Sequence, residues 1–308
     1  MEKKIGKNKE IIIICSFLVF LISAISSFYY FYYDDKYSSL DKEIKIVDKK
    51  LDNKEQELAS IESEINTIHD IDKEIERVKK DFFDKALEME NDIKDGKSSK
   101  KIAYLTFDDG PYYNTFQVFK ILDEYNVGAT FFTTSANDRY CYDNKSYDCY
   151  QLYPEYIKHG HTIANHTYTH AIFKGLYNNT DSFMSALKRQ HEHVKAQTGG
   201  YVMNITRFPG GSDTANHFKV RDSIISRLRD VGYGYVDWTA LDGDGGYIPD
   251  RDKAWSTLIN SINEDIEVIL FHDYHAITTS MLPDVIEYLE NHGYVLLPLF
   301  YESSMVNK

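Results

Sequence analysis

The sequence predicts an α/β domain built on a parallel sheet and carried outside a membrane on a long helix. Three observations predict it. Beyond residue 101, seven short β-rich runs alternate with helical stretches. Residues 11–33 form an uncharged apolar run, and residues 34–95 contain neither glycine nor proline. Composition narrows the function. With 48 acidic against 35 basic side chains in 308 residues, the chain lacks the basic surface a nucleic-acid binder needs. At 43% hydrophobic, with 25 Tyr, 17 Phe and 2 Trp, it can bury a core, which excludes disorder along its whole length. Three cysteines are too few for a disulfide framework.

Residues 1–10 carry Lys3, Lys4, Lys7 and Lys9 against Glu2 and Glu10 and read as a cytoplasmic tail. Residues 11–33 (IIIICSFLVFLISAISSFYYFYY) offer 23 positions without a charge, where roughly 20 apolar residues span a bilayer. Their aromatic end suits the membrane interface, and Asp34 and Asp35 follow it. Lysine in front of the run orients it as a single-pass anchor, with everything after residue 33 outside the cell membrane. Ala24-Ile25-Ser26 could also serve as a cleavage site, so a signal peptide is the alternative. Either reading exports the rest of the chain.

Residues 34–95 predict a coiled-coil stalk. Leu40, Ile44, Val47, Leu51, Leu58, Ile61, Ile65 and Ile68 recur at alternating steps of four and three, the spacing of a heptad seam, with Lys54 interrupting. The seam resumes after a three-residue step at Ile71, Ile75, Val78 and Phe82. Such a stripe can pair two copies of the chain into a homodimer. About 55 helical residues at 1.5 Å each would reach roughly 80 Å from the bilayer. Residues 96–100 then read as a polar linker, and 101–308 as a folded domain.

Within that domain the candidate strands are 102–107, 129–134, 162–165, 204–208, 234–238, 267–272 and 294–299. Helical stretches fall near 114–125, 152–159, 181–197, 219–231, 252–264 and 280–291, with Gly128, Gly160, Gly232 and Gly293 where helices should stop. This alternation fits either an open doubly wound sheet or a short barrel, and the spacing does not separate them.

Polar residues gather where the strands end. The first strand runs into Asp108-Asp109-Gly110-Pro111, two carboxylates on a turn that can aim them differently. The third ends before His166-Thr167-Tyr168-Thr169-His170; histidines four apart on a helical turn lie on one face and can grip one metal. With a carboxylate from the first loop they make a His-His-Asp set with open positions, which suits a catalytic metal. Arg207, the Asp237-Trp238 pair and His272 stand at later strand ends, where active sites gather in parallel α/β folds. Taken singly, Arg207 reads as a salt-bridge partner, Trp238 as core and His272 as a satisfied histidine. His159 and His161 read as surface or cap residues. Asp213 and Asp244 are cleft residues without a role, and Cys141 and Cys149 bracket a polar loop and could pair or stay as thiols.

Taken together, TFDDGP at 106–111, HTYTH at 166–170, RFPG at 207–210, DW at 237–238 and LFH at 270–272 resemble the five ordered motifs of the polysaccharide deacetylases, carbohydrate esterase family 4. The resemblance covers residues 101–300 or so. It implies a distorted (β/α)7 barrel that removes N-acetyl groups from a β-linked amino-sugar polymer with the help of a metal. By the same resemblance Asp109, His166 and His170 are the metal ligands, with zinc the first choice and cobalt or another first-row ion the alternatives. Asp108 is the general base, oriented by Arg207. His272 is the general acid, with Asp237 accepting its other ring N–H. Trp238 and Leu270 wall the acetyl pocket, and the Gly210 N–H is an oxyanion donor.

These roles also follow physical logic. An amide carbonyl is a poor electrophile and its amine a poor leaving group, so the reaction needs a polarised carbonyl, a base for water and a charged acid for nitrogen. The expected substrate is cell-wall peptidoglycan, deacetylated at N-acetylglucosamine with lysozyme resistance as the outcome, because an anchor and stalk hold the domain at the wall. The alternatives are another exported polymer (poly-N-acetylglucosamine, a chitin-like chain or acetylated xylan) and a catalytically retired coiled-coil scaffold.

Overall fold

The computed structural model describes residues 2–135, 152–248 and 250–308. Cys141 and Cys149 lie outside the described residues, as do the side chains of residues 2–20, 24, 28–32, 35, 71 and 72. The chain divides into two compact units, residues 1–78 and 79–308.

The first unit is helical, the greater part of α1 (Glu2–Lys94), whose 93 residues contain no proline. Surface ion pairs such as Lys45–Asp41 at 2.7 Å and Lys54–Glu57 at 2.5 Å add a few tenths of a kcal/mol each. The seam side chains from Leu40 to Ile68 are each more than half exposed, from 51% at Ile44 to 61% at Val47. Among the described residues no helix is long and apolar enough to cross a membrane, and most side chains of the run over 11–33 lie outside them.

The second unit takes in the last turns of α1, where the sequence expected stalk. Ala86, Glu90 and Ile93, spaced four and three apart, are buried against it. Apolar spacing of this kind serves a coiled coil and a domain surface equally, so the pattern alone could not mark the boundary. Phe83 stacks on Phe300 with ring centroids 5.0 Å apart. The buried Glu90 carboxylate accepts from the Tyr104 hydroxyl, from Ser303 Oγ at 2.6 Å and from the Ser304 N–H at 2.7 Å. Gly96, at φ 67°, takes the left-handed conformation that stops the helix.

Eight parallel strands follow among the described residues: β1 (Lys101–Asp108), β2 (Thr130–Thr133), β3 (Thr162–Asn165), β4 (Ile205–Thr206), β5 (Gly234–Tyr235), β6 (Ala240–Leu241), β7 (Ile266–His272) and β8 (Tyr294–Leu296). Their order is β5-β4-β3-β2-β1-β7-β6. Along 102–108 β7 occupies one edge of β1, so β2 (at 106–108) and β8 (at 101–103) share the other. The two outermost strands, β5 and β6, are consecutive in sequence. Between them the Val236 N–H donates to Thr206 O at 3.1 Å on one side, and the Thr239 N–H to Val268 O at 2.9 Å on the other. The expected strand over 234–238 is therefore broken, because this stretch crosses from one end of the strand path to the other. The result is a half-barrel of parallel strands, consistent with the expected (β/α)7 architecture.

The helices are α2 (Thr115–Glu124), α3 (Leu152–Lys158), α4 (Thr180–Gln197), α5 (Ser212–His217), α6 (Arg221–Asp230), α7 (Arg251–Ser261) and α8 (Ala276–Asn291). The expected helix over 219–231 is α6, and the short α5 before it was not foreseen. Gly160, Gly232 and Gly293 end helices at positive φ, but α2 ends through Asn126 at φ 55° instead of Gly128. On β1, Ala103, Leu105 and Phe107 pack among the helices, while Ile102 and Tyr104 join a second cluster with Val236 and Leu297. That alternation sets which way the end of the strand faces.

Candidate active site

Asp108 closes β1 in step with Ile102, Tyr104 and Thr106, so it projects on the face opposite the helix-packed residues. Strict alternation would send Asp109 to the other side. Its φ of 73° breaks the alternation, and both carboxylates end up within reach of His166. This is how two adjacent acids acquire separate jobs in one site.

The His166–His170 segment is a loop and not the helical turn that the spacing suggested. Thr167 at φ 63° and His170 at φ 46° bend it, and the Asn165 side-chain oxygen accepts the Thr167 N–H at 2.9 Å. His166 Nε2 lies 3.7 Å and His170 Nε2 3.6 Å from Asp109 Oδ1. One ligand atom from each of the three residues falls within 4.8 Å of the others. His166 Nδ1 lies 2.9 Å from the Arg207 carbonyl oxygen, which can only accept, so Nδ1 carries the proton and Nε2 keeps its lone pair for the site. Burial, then the neighbouring His170, hold the His166 pKa down at about 3, so the ring is neutral as a ligand must be. Two imidazole nitrogens and a carboxylate fit a divalent first-row cation.

Arg207 is fully buried. Its Nη1 donates to Asp108 Oδ1 and to Thr106 Oγ1, both at 2.8 Å, while Nη2 reaches Asp237 O at 3.1 Å and Nε reaches Val236 O at 3.3 Å. The guanidinium also lies 4.2 Å over the Phe132 ring. One residue thus orients the base through its side chain and a metal ligand through its carbonyl. Burial pushes the Asp108 carboxyl up from the usual carboxylate range, and the Arg207 charge pulls it back. A base raised in this way takes a proton more readily than an ordinary aspartate.

His272 closes β7 opposite Asp108 in the strand register, and its Nε2 lies 3.9 Å from Asp109 Oδ2. Its partner differs from the expected one. His272 Nδ1 lies 2.6 Å from Asp244 Oδ1, and Asp244 Oδ2 accepts the His272 backbone N–H at 2.7 Å. Asp237 instead accepts from the Ser212 N–H at 2.9 Å and from Ser212 Oγ at 2.5 Å, which fixes the loop after Arg207. The reason is the broken strand: Asp237 lies in the crossing segment, whereas Asp244 follows β6, which pairs with β7 and so ends beside His272. Asp244 is held in turn, its N–H bonded to Asp242 Oδ1 at 3.0 Å and its Oδ2 receiving Thr278 Oγ1 at 2.8 Å. Burial alone would lower the His272 pKa, but the Asp244 hydrogen bond and charge, joined by Asp108 and Asp109, raise it to about 9. The ring is charged at neutral pH, as a proton donor must be.

The remaining expected residues frame this centre. Leu270 is buried, two residues before His272 on the same strand face. Trp238 is half-buried against Gly211, where a Cβ would come within 2.9 Å of its ring; Gly211, at φ 84°, leaves room for it. Gly210 sits beside it at φ 74°. His161, expected to be a surface or cap residue, is buried, and its Nδ1 accepts the Ala129 N–H at 3.3 Å. Asp244 is the functional residue the sequence left without a role, although its Asp-Gly-Asp-Gly-Gly context is strand-end turn chemistry.

Comparison with known proteins agrees with this geometry. A family model described as polysaccharide deacetylase matches residues 95–236. The chain is 28% identical over 205 residues to a peptidoglycan-N-acetylglucosamine deacetylase of Bacillus cereus, covering 63% of this chain and 68% of that protein. The solved catalytic domain of a peptidoglycan N-acetylglucosamine deacetylase from Eubacterium rectale is 30% identical, with a TM-score of 0.61 over 68% of this chain and 93% of that one. A polysaccharide deacetylase structure from Bacillus cereus gives 25% identity and a TM-score of 0.58, over 66% and 94% of the two chains. The chain belongs to the polysaccharide deacetylases, carbohydrate esterase family 4, and is a metal-dependent hydrolase that deacetylates polysaccharides.

Proposed function

We propose that the chain removes acetyl groups from N-acetylglucosamine of cell-wall peptidoglycan, as a membrane-tethered enzyme whose product resists lysozyme. The observation that carries the chemistry is the approach of His272 Nε2 to 3.9 Å from Asp109 Oδ2. Acid, base and metal ligands therefore address one reacting group. The substrate rests on the peptidoglycan deacetylases among the relatives, and on the uncharged run and heptad stripe in front of the domain, which suit a cell-surface enzyme.

A divalent ion held by Asp109, His166 and His170, zinc by preference for such donors, supplies Lewis acidity to a carbonyl oxygen and acidifies water. Asp108, held by Arg207, takes the proton of the attacking water. Gly210 offers its backbone N–H to the oxyanion as charge develops. His272 passes its Nε2 proton to the departing nitrogen, so the sugar leaves as an amine and the acetyl as acetate. Asp244 keeps that ring charged and aimed. Trp238 and Leu270 exclude water around the methyl group.

The test compares muropeptides from cells with and without the gene by mass spectrometry, beside acetate release by the purified chain on peptidoglycan fragments, chitooligosaccharides and acetylated xylan. The expected result is loss of deacetylated glucosamine from the wall and the highest rate on peptidoglycan fragments. An unchanged wall, or a faster rate on xylan or chitin oligomers, would overturn the substrate assignment.

A further inference from the structure

The seam of α1 over residues 40–68 is flanked by charge of one sign. With Ile44, Leu51, Leu58 and Ile65 at heptad position a, the two positions that border the seam, e and g, are Asp41, Asp48, Glu55 and Glu62, then Glu43, Lys50, Glu57 and Glu64. Seven of these eight are acidic. The segment has five lysines, and Lys42, Lys45 and Lys49 stand on the far face, Lys54 in the seam and only Lys50 on its border. Charge is sorted by face, with acid along the contact stripe.

That sorting opposes the homodimer that apolar spacing alone predicts. In a parallel in-register pair, g of one heptad meets e of the next on the partner helix. Glu43 would then face Asp48, and Glu57 would face Glu62, each twice over by symmetry; only Lys50 with Glu55 attracts. Lys54 would face its own copy across the core layer. An antiparallel pair sets e against e, where all four residues are acidic, and g against g, where three of the four are. Intrahelical bonds answer only part of this charge: Asp41 pairs with Lys45 at 2.7 Å and Glu57 with Lys54 at 2.5 Å. Meanwhile eight apolar side chains on this stripe are more than half exposed, a surface that calls for a partner.

We propose that residues 40–68 dock an amphipathic helix of a different protein, whose own seam is bordered by lysine or arginine. Opposite charge across the borders selects that partner, and like charge rejects a second copy of this chain. The proposal does not depend on the substrate or on the deacetylase chemistry.

The test uses the full chain in detergent and two synthetic helices matching residues 40–68 in length, both with Ile at a and Leu at d. One carries Lys at every e and g position, the other Glu. By itself the chain is expected to sediment as a monomer. It should bind the Lys-bordered helix about tenfold or more tightly than the Glu-bordered one at low salt, seven weak attractive charge pairs outweighing the one repulsion at Lys50. Most of that preference should fade as salt approaches about 1 M. Replacing Glu43, Asp48, Glu55, Glu57, Glu62 and Glu64 with Lys should reverse the preference and leave acetate release unchanged. Equal binding of the two helices would overturn the proposal. So would a self-dimer that disappears in a Leu51→Asp, Leu58→Asp variant.

Discussion

The Asp244 carboxylate holds His272 at two points, accepting the ring Nδ1–H at 2.6 Å and the residue's own backbone N–H at 2.7 Å. Orientation and charge state of the acid are thereby set by one side chain. Asp244→Asn removes the charge and keeps the shape, so kcat should fall about 10²- to 10⁴-fold. The pH profile gives the sign. The His272 pKa is raised to about 9, so the acid is charged below that value and activity declines as pH climbs through it. In Asp244→Asn this alkaline limb should move to lower pH. Asp237→Asn should leave the limb where it is, because Asp237 bonds Ser212 and not the histidine. The same shift has a stability consequence: a folded-state pKa above the unfolded value stabilises fully below about pH 6.5 and is lost as pH rises through about 9.

Much of this site could be read from the sequence, and the rest was hidden by local backbone geometry. Asp108, Asp109, His166, His170, Arg207 and His272 all lie at or close to the ends of expected strands, where short apolar runs give way abruptly to polar residues. Asp244 was missed because the crossing stretch from Gly234 to Leu241 pairs with β4 at one end and with β7 at the other. Two-residue strands leave no period to detect, so nothing in the sequence set the turn carrying Asp244 beside the end of β7. The histidine loop was misjudged for a similar reason. A four-residue spacing is helical only if φ permits, and Thr167 and His170 are left-handed. The end of α1 was hidden by an apolar spacing that two different partners can satisfy.

Arg207 should tolerate no substitute. Its guanidinium reaches four acceptors from inside the protein, and Asp108 is nearly as buried. Arg207→Lys keeps the charge but cannot reproduce the fork, so acetate release should drop by about 10²-fold or more. Arg207→Ala should in addition cost roughly 3–5 kcal/mol of stability, because a buried carboxylate loses its counter-charge. Steady-state kinetics and urea denaturation of the two variants check this.

The last turns of α1 should be required for a stable catalytic domain. A fragment starting at Ser98 loses the buried Ala86 and Ile93, and leaves Tyr104 and Ser303 without the Glu90 carboxylate. One starting at Lys79 keeps them. The shorter fragment should be less stable by about 3 kcal/mol or more, the sum of lost apolar burial and unsatisfied polar groups. Thermal melts of both fragments measure it directly.

Gly110 should be irreplaceable for steric reasons. A Cβ there would lie 2.5 Å from Asp273 Oδ2 and 2.9 Å from Tyr156 Oη, both on fully buried side chains. Gly110→Ala should displace the neighbouring Asp109, costing about 2–3 kcal/mol of stability and most of the metal affinity. Calorimetric metal titration and melting of the variant would reveal either loss.

The central claim is that Asp109, His166 and His170 hold one ion and that turnover depends on it. Metal content by mass spectrometry and acetate release, measured on the same samples of the full chain and its His170→Ala variant, test it most directly. The account predicts about one divalent ion per chain, lost together with activity in the variant and on chelation. A variant that keeps both its ion and its acetate release would contradict it.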